Sequence, residues 1–177
     1  MKKILAVAVL SAIVSAPVLA ADPGFYVGGS VGQSNTSQDN AALTKKSDTA
    51  FSFLGGYNIN QDLAIEIQYA DLGKVTEVGG ARANITTFAI TAVVSMPINT
   101  DVSIYGKLGF ANTVFEYATS NRTSASRNTA TLGLGGLYNM NPNLGIRFGW
   151  DRYAVGDAIA VPDGNANLIY AGVIFKF

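Results

Sequence analysis

The chain has 177 residues with no cysteine and no histidine, and its twelve basic residues balance twelve acidic ones. Lack of histidine excludes Ser-His-Asp and Cys-His catalysis and removes the commonest metal ligand; lack of cysteine excludes a disulfide framework. Apolar residues make up 49% of the chain and charged residues only 14%, an unusual balance for a soluble domain, and the absence of excess positive charge argues against a nucleic-acid partner.

Met1, Lys2 and Lys3 give a positive start, Ile4 to Val14 is apolar, and Pro17-Val18-Leu19-Ala20 leads into a small-residue cleavage site. This pattern predicts a signal peptide over residues 1–20, cut after Ala20, and a mature domain over 21–177. The apolar run falls short of the roughly 20 residues that a membrane-spanning helix needs. No later stretch is long and apolar enough for one either. A membrane protein without such stretches has one other option, the closed β-barrel, because lipid offers no partner to a free backbone amide.

The mature chain alternates with a period of two. In the first segment Phe25, Val27, Gly29 and Val31 share one face, with Tyr26, Gly28, Ser30 and Gly32 on the other. The second sets Phe51, Phe53 and Tyr57 against Ser52, Leu54 and Asn58. The third sets Leu63, Ile65, Ile67 and Tyr69 against Ala64, Glu66, Gln68 and Ala70. The fourth sets Phe88, Ile90, Ala92, Val94 and Met96 against Thr87, Ala89, Thr91 and Ser95. Ile104, Leu108, Phe110 and Val114 oppose Tyr105, Lys107, Gly109 and Thr113 in the fifth. The sixth has Leu132, Leu134 and Tyr138 against Thr131, Gly133 and Gly135. The seventh has Leu144, Ile146, Phe148 and Trp150 against Gly145, Arg147, Gly149 and Asp151. The eighth has Ile169, Ala171, Val173, Phe175 and Phe177 against Tyr170, Gly172 and Lys176.

Alternation alone fits a water-soluble sandwich as well as a membrane barrel with its apolar face outward. Three features favour the eight-stranded antiparallel up-and-down transmembrane barrel. Short Asn- and Pro-rich turns (58–62, 97–101 and 139–143) alternate with longer polar connections (33–47, 73–83, 119–127 and 156–165), the outer-membrane pattern of short periplasmic turns and long outer loops. Aromatics on the apolar face fall at two levels: Phe25, Tyr57, Tyr138 and Phe177 at the short-turn end, Phe51, Tyr69, Phe88 and Trp150 toward the other. Two interfacial girdles would explain that sorting. Finally, Val173, Phe175 and Phe177 share the lipid face of the last segment. They close the barrel against the first strand, and they are candidates for a recognition signal read by the outer-membrane assembly machinery. Arg152 points to the lipid side beside Trp150, where it can snorkel to the head groups.

The segments Gly55-Gly56-Tyr57-Asn58-Ile59-Asn60, Ile65-Glu66-Ile67-Gln68-Tyr69-Ala70-Asp71-Leu72-Gly73-Lys74, Pro97-Ile98 followed by Ile104-Tyr105-Gly106-Lys107-Leu108-Gly109, and Gly172-Val173-Ile174-Phe175-Lys176-Phe177 resemble, in order and spacing, the transmembrane domain of the OmpA-like family, with its OmpX- and opacity-type small barrels. OmpA carries a further periplasmic domain that binds peptidoglycan; nothing in these segments matches it, and that tethering role is not expected. In OmpA, charged side chains inside the barrel form an ion-pair network that plugs or gates it. By motif position Glu66, Lys107 and Arg147 match three of those charges, and alternation points all three inward. The departure is Leu137, which stands where the OmpA pattern has a second acid. Two cations would then face one carboxylate, unlike the OmpA-type arrangement; Asp151 is a further candidate partner, though it counts higher on its strand. An unpaired buried charge costs several kcal/mol, so a structural plug is favoured over a gate.

The resemblance implies a bacterial outer-membrane protein, a monomer with no cofactor and no metal, bedded in outer-membrane lipid and lipopolysaccharide. The expected role is structural support together with contact to host or environmental ligands through the outer loops, which carry Lys45, Lys46, Asp48, Glu77, Arg82, Arg122 and Arg127. The alternatives are a narrow porin-like pore and, less favoured, a lipid-modifying enzyme, since small-barrel lipid enzymes rely on histidine.

Overall fold

The computed structural model describes residues 24–38, 43–45, 47–77, 82–117, 125–154 and 164–177. The expected signal peptide and the loop residues Lys46 and Arg122 lie outside the described residues. The strands are β1 (Phe25–Gln38), β2 (Leu43–Lys45), β3 (Ser47–Asn58), β4 (Leu63–Glu77), β5 (Arg82–Pro97), β6 (Val102–Tyr117), β7 (Ala125–Asn139), β8 (Leu144–Ala154) and β9 (Gly164–Lys176). Eight of them form a closed antiparallel barrel in which each pairs with its neighbour in sequence and β9 returns to β1. The three-residue β2 pairs with the far end of β4 and extends the β3 hairpin.

The register fixes the shape. Following paired residues around the barrel from Tyr57 leads through Ile65, Ala92, Leu108, Leu132, Arg152, Asn167 and Asn35 back to β3 at Ser47, ten residues from the start. With about 3.3 Å per residue and about 4.8 Å between strands, that shear over eight strands sets a tilt of about 40° and a backbone radius of about 8 Å. An interior of that width is filled by side chains.

The alternation read from sequence matches the burial. Phe51, Phe53, Ile65, Ile67, Phe88, Ile90, Leu108, Phe110, Leu134 and Val173 are exposed, while their neighbours Ser52, Leu54, Glu66, Thr87, Ala89, Lys107 and Ile174 are buried in the lumen. A soluble sandwich would bury the first set.

Strand boundaries differ from expectation. β1 runs on to Gln38, β4 to Glu77, and β5 and β7 begin at Arg82 and Ala125, so Lys45, Asp48, Glu77, Arg82 and Arg127 stand on strands rather than in loops. The outward positions there are polar: Asn35, Thr49, Asn84, Asn112 and Asn128. A ladder leaving the lipid needs no apolar face, and outward amides can pair across strands, as Asn112 Nδ2 does with Asn128 Oδ1 at 2.7 Å. β4 also carries a bulge between Asp71 and Lys74, where Gly73 adopts φ +80°, a left-handed conformation suited to glycine.

Candidate functional site: the barrel lumen

The lumen holds a polar layer between two apolar ones. On the short-turn side Tyr26, Leu54, Ala64, Val93, Tyr105 and Ile174 pack together with Leu137 against them. On the loop side Ala50, Ala70, Leu72, Ile85, Ala89, Ala111, Tyr153, Leu168 and Tyr170 form a second cluster. This apolar content exceeds what the sequence pattern led one to expect of the inward face.

Between them lie Glu66, Lys107, Arg147 and Asp151, all buried. β4 and β8 are four strands apart in either direction around the barrel, so the bond between Arg147 and Glu66 spans the full diameter. Arg147 Nη1 donates to Glu66 Oε2 at 2.6 Å and Nη2 to Oε1 at 3.4 Å, a two-pronged contact that suits the guanidinium fork. The guanidinium also lies 4.4 Å from the centre of the Tyr105 ring. Lys107, on β6 between them, donates to Asp151 Oδ2 at 2.8 Å, Gln68 Oε1 at 3.0 Å and Glu66 Oε1 at 3.4 Å.

The structure thus brings Glu66, Lys107 and Arg147 together and adds Asp151, the further candidate, as a second carboxylate for Lys107. It does stand higher in the barrel, four residues beyond Arg147 on β8, but it shares a register row with Lys107, whose long side chain reaches it along that row, and two cations meet two carboxylates. The reason is register: Lys107 pairs with Gly133 and Gly133 with Asp151. A Cβ on Gly133 would overlap Asp151 Oδ1 and sit 3.0 Å from Lys107 Cε. The same device recurs. Tyr26 reaches over Gly56 to Glu66, its hydroxyl donating to Oε2 at 3.1 Å. Tyr105 and Tyr170 meet at 2.9 Å above Gly135 and Gly149, with which they share a row. Inward glycines therefore floor lanes along which long polar side chains lie flat. Tyr26, Gln68, Tyr105 and Tyr170 were read as inward, but their part in the network was not, because which side chains reach one another across intervening strands appears only once the register is known.

Beneath Arg147 a cavity of about 230 Å³ opens at the short-turn end, lined by Tyr26, Asn58, Asn60, Asn139, Leu137 and Lys176 among others. Outside the barrel, Phe25 and Tyr57 pack with their rings tilted, 4.8 Å between ring centres, near that end, and Tyr138 is also exposed. Phe53, Tyr69 and Phe88 sit side by side in register, with Phe51 one pleat above Phe53. Trp150 is half-buried and pairs with Leu134 and Ile169. Val173 and Phe175 are exposed, and Phe177 N donates to Phe25 O at 2.9 Å, joining the ends of β9 and β1.

Comparison with known proteins follows the same line. The family described as outer membrane protein beta-barrel domain matches residues 6–177. Among solved structures, Ail, the attachment invasion locus protein of Yersinia pestis, in complex with the heparin analogue sucrose octasulfate, aligns at 20% identity and TM-score 0.60 over 89% of this chain and 100% of that one. Neisserial surface protein A aligns at 19% identity and TM-score 0.67 over 87% and 97% of the two chains. OprG of Pseudomonas aeruginosa aligns at 16% identity and TM-score 0.60 over 90% and 99%. At these identities the likeness carries the fold alone. No curated protein matches in sequence. The match along nearly the whole chain, the closed eight-stranded architecture and the outward apolar face together make this chain a member of the outer membrane protein beta-barrel domain family, one of the small OmpA-like barrels of the bacterial outer membrane.

Proposed function

We propose that this barrel is a plugged scaffold that stabilises the outer membrane and presents polar hairpins for contact with host or environmental ligands. The observation that carries the reading is the lumen: a charge-neutral cluster spans its full diameter and apolar layers pack above and below it. An interior so filled leaves the loop-side hairpins as the surface free to act. These hairpins rise beyond the apolar face with outward Asn35, Thr49, Asn112 and Asn128, and mobile or projecting segments on a rigid scaffold are where binding residues concentrate. That Ail was solved with a heparin analogue makes sulfated glycans the first ligand class to try. Lipopolysaccharide around the outer leaflet, the assembly machinery at Val173, Phe175 and Phe177, and removal of residues 1–20 on export belong to the same reading, as does a non-enzymatic, monomeric role. The test is to replace the four long connections one at a time with short Asn-Gly turns, then measure cell-surface and heparin binding together with membrane leakiness. Loss of binding from one replacement, with leakiness unchanged, supports the reading; full binding after all four sinks it.

A second reading, a narrow pore for ions, is supported by the sharing of Lys107 among three acceptors and by the cavity below Arg147. Single-channel recording in planar bilayers decides between them.

A further inference from the structure

The three short hairpins end alike. Ile59, Ile98 and Met140 donate their N–H to the carbonyls of Leu63, Val102 and Leu144 at 2.8, 2.8 and 2.9 Å. The next residue in each, Asn60, Asn99 or Asn141, caps the turn by accepting two backbone N–H bonds on its Oδ1. Ile59, Ile98 and Met140 are therefore still ladder residues, and alternation continues through them. Each follows an outward residue, Tyr57, Met96 or Tyr138, on the same side. All three are exposed, at 43%, 58% and 55%. Because β3, β5 and β7 stand two strands apart, the tips lie a quarter-turn from one another around the rim.

A single exposed apolar residue needs no explanation. Three at the same place in three turns, continuous with the lipid-facing stripe, have a common cause. The tilt makes one residue worth about 2.5 Å of height, which puts about 17 Å between the Phe25–Tyr57–Tyr138 level and the Phe51–Tyr69–Phe88 level. The apolar band of such barrels is about 25 Å tall, so the strands alone fall short. One further outward position in each turn, two residues on, brings the total to about 22 Å. Above the upper level the outward positions turn largely polar, with Gln33, Asp71, Asn112, Arg152 and Asn167 among them, so the band does not extend there.

We propose that Ile59, Ile98 and Met140 are seated in the lipid of the inner leaflet, where they complete the apolar band and set the depth of the barrel. The partner is the phospholipid acyl region, chosen because the tips continue a surface that already faces it.

The chain has no cysteine, so single cysteines at 59, 98 and 140 can each carry an environment-sensitive fluorophore, with Thr100, exposed in the same turn as Ile98, as the control. In phospholipid nanodiscs, open to solvent on both sides, a lipid-borne nitroxide should quench the three tips several-fold more than iodide does, and the order should reverse at Thr100. Equal access of iodide to all four positions overturns the proposal and places the tips in water, open to a soluble partner. As a second measurement, I59N/I98N/M140N should shift the best folding yield toward bilayers of shorter acyl chain. An optimum at the same chain length as wild type also overturns it.

Discussion

Lys107 Nζ and Asp151 Oδ2 meet at 2.8 Å although their strands are not neighbours, because both side chains lie along one register row above Gly133. This pair compensates the leucine at 137. The acid that balances Lys107 has moved one strand along, and the cluster stays neutral. Two buried cations facing one carboxylate would leave an uncompensated charge, a far more costly state than either pair alone.

Gly133→Ala tests that lane directly. The new Cβ would overlap Asp151 Oδ1, with backbone close by (Trp150 O at 3.1 Å), so the ion pair must part. A loss of about 1–3 kcal/mol is expected. The single tryptophan, Trp150, reports unfolding by urea in detergent micelles. Gly136→Ala is the control: its Cβ meets nothing nearer than Ser103 O at 3.8 Å, and its effect should stay within about 0.5 kcal/mol.

Glu66→Ala removes the acceptor shared by Arg147, Lys107 and Tyr26. It leaves Arg147 buried without its carboxylate, and a loss of about 3–5 kcal/mol is expected, as for one partner of a buried pair. Glu66→Gln keeps an acceptor for Arg147 and should cost distinctly less. Equal unfolding midpoints for wild type, Ala and Gln would show that the strut adds nothing to stability.

How much of this was legible in the sequence follows from period and register. A period of two assigns every side chain to one face without reference to any partner strand, so the outward Phe51, Ile67 and Leu108 and the inward Glu66, Lys107 and Arg147 were all readable. Height across strands is not local information. Asp151 does stand higher, as counting along one strand suggests, but that it lies in one row with Lys107, within reach of that long side chain, shows only when the register is known. The extended hairpins were missed for a related reason: above the lipid, paired strands no longer carry an apolar face, and Asn35 or Asn128 then reads as loop.

Gly73→Ala probes the bulge. At φ +80° a non-glycine residue is strained by about 1–2 kcal/mol, and its Cβ would stand 2.7 Å from Asp48 Cβ. Asp48 Oδ2 accepts the Lys74 N–H at 2.9 Å and Asp71 Oδ1 the Gly73 N–H at 2.9 Å, so the damage should centre on this corner. Hydrogen exchange at the Lys74 amide should accelerate by tenfold or so, in line with about 1.4 kcal/mol per decade, while amides of Glu66 and Gln68 exchange as before. Uniform acceleration along β4 would mean the bulge is coupled to the whole strand.

Leu137→Glu restores an acid at the position where the OmpA pattern has one. Leu137 pairs with Arg147 on the adjacent strand and belongs to the short-turn apolar layer, whereas Glu66 reaches Arg147 from across the lumen. A carboxylate next door competes for the guanidinium over a much shorter span, so it should draw Arg147 from Glu66 while also breaching the apolar layer. Both changes open the same path, and the variant should conduct several-fold more often than wild type in planar bilayers. The cost in stability should be small, since the new acid has a cation beside it and the position is only half-buried. Conductance unchanged from wild type would show that the loop-side layer of Ala50, Ala70, Ala89 and Leu168 seals the lumen by itself, and that no rearrangement of the charged layer can open it.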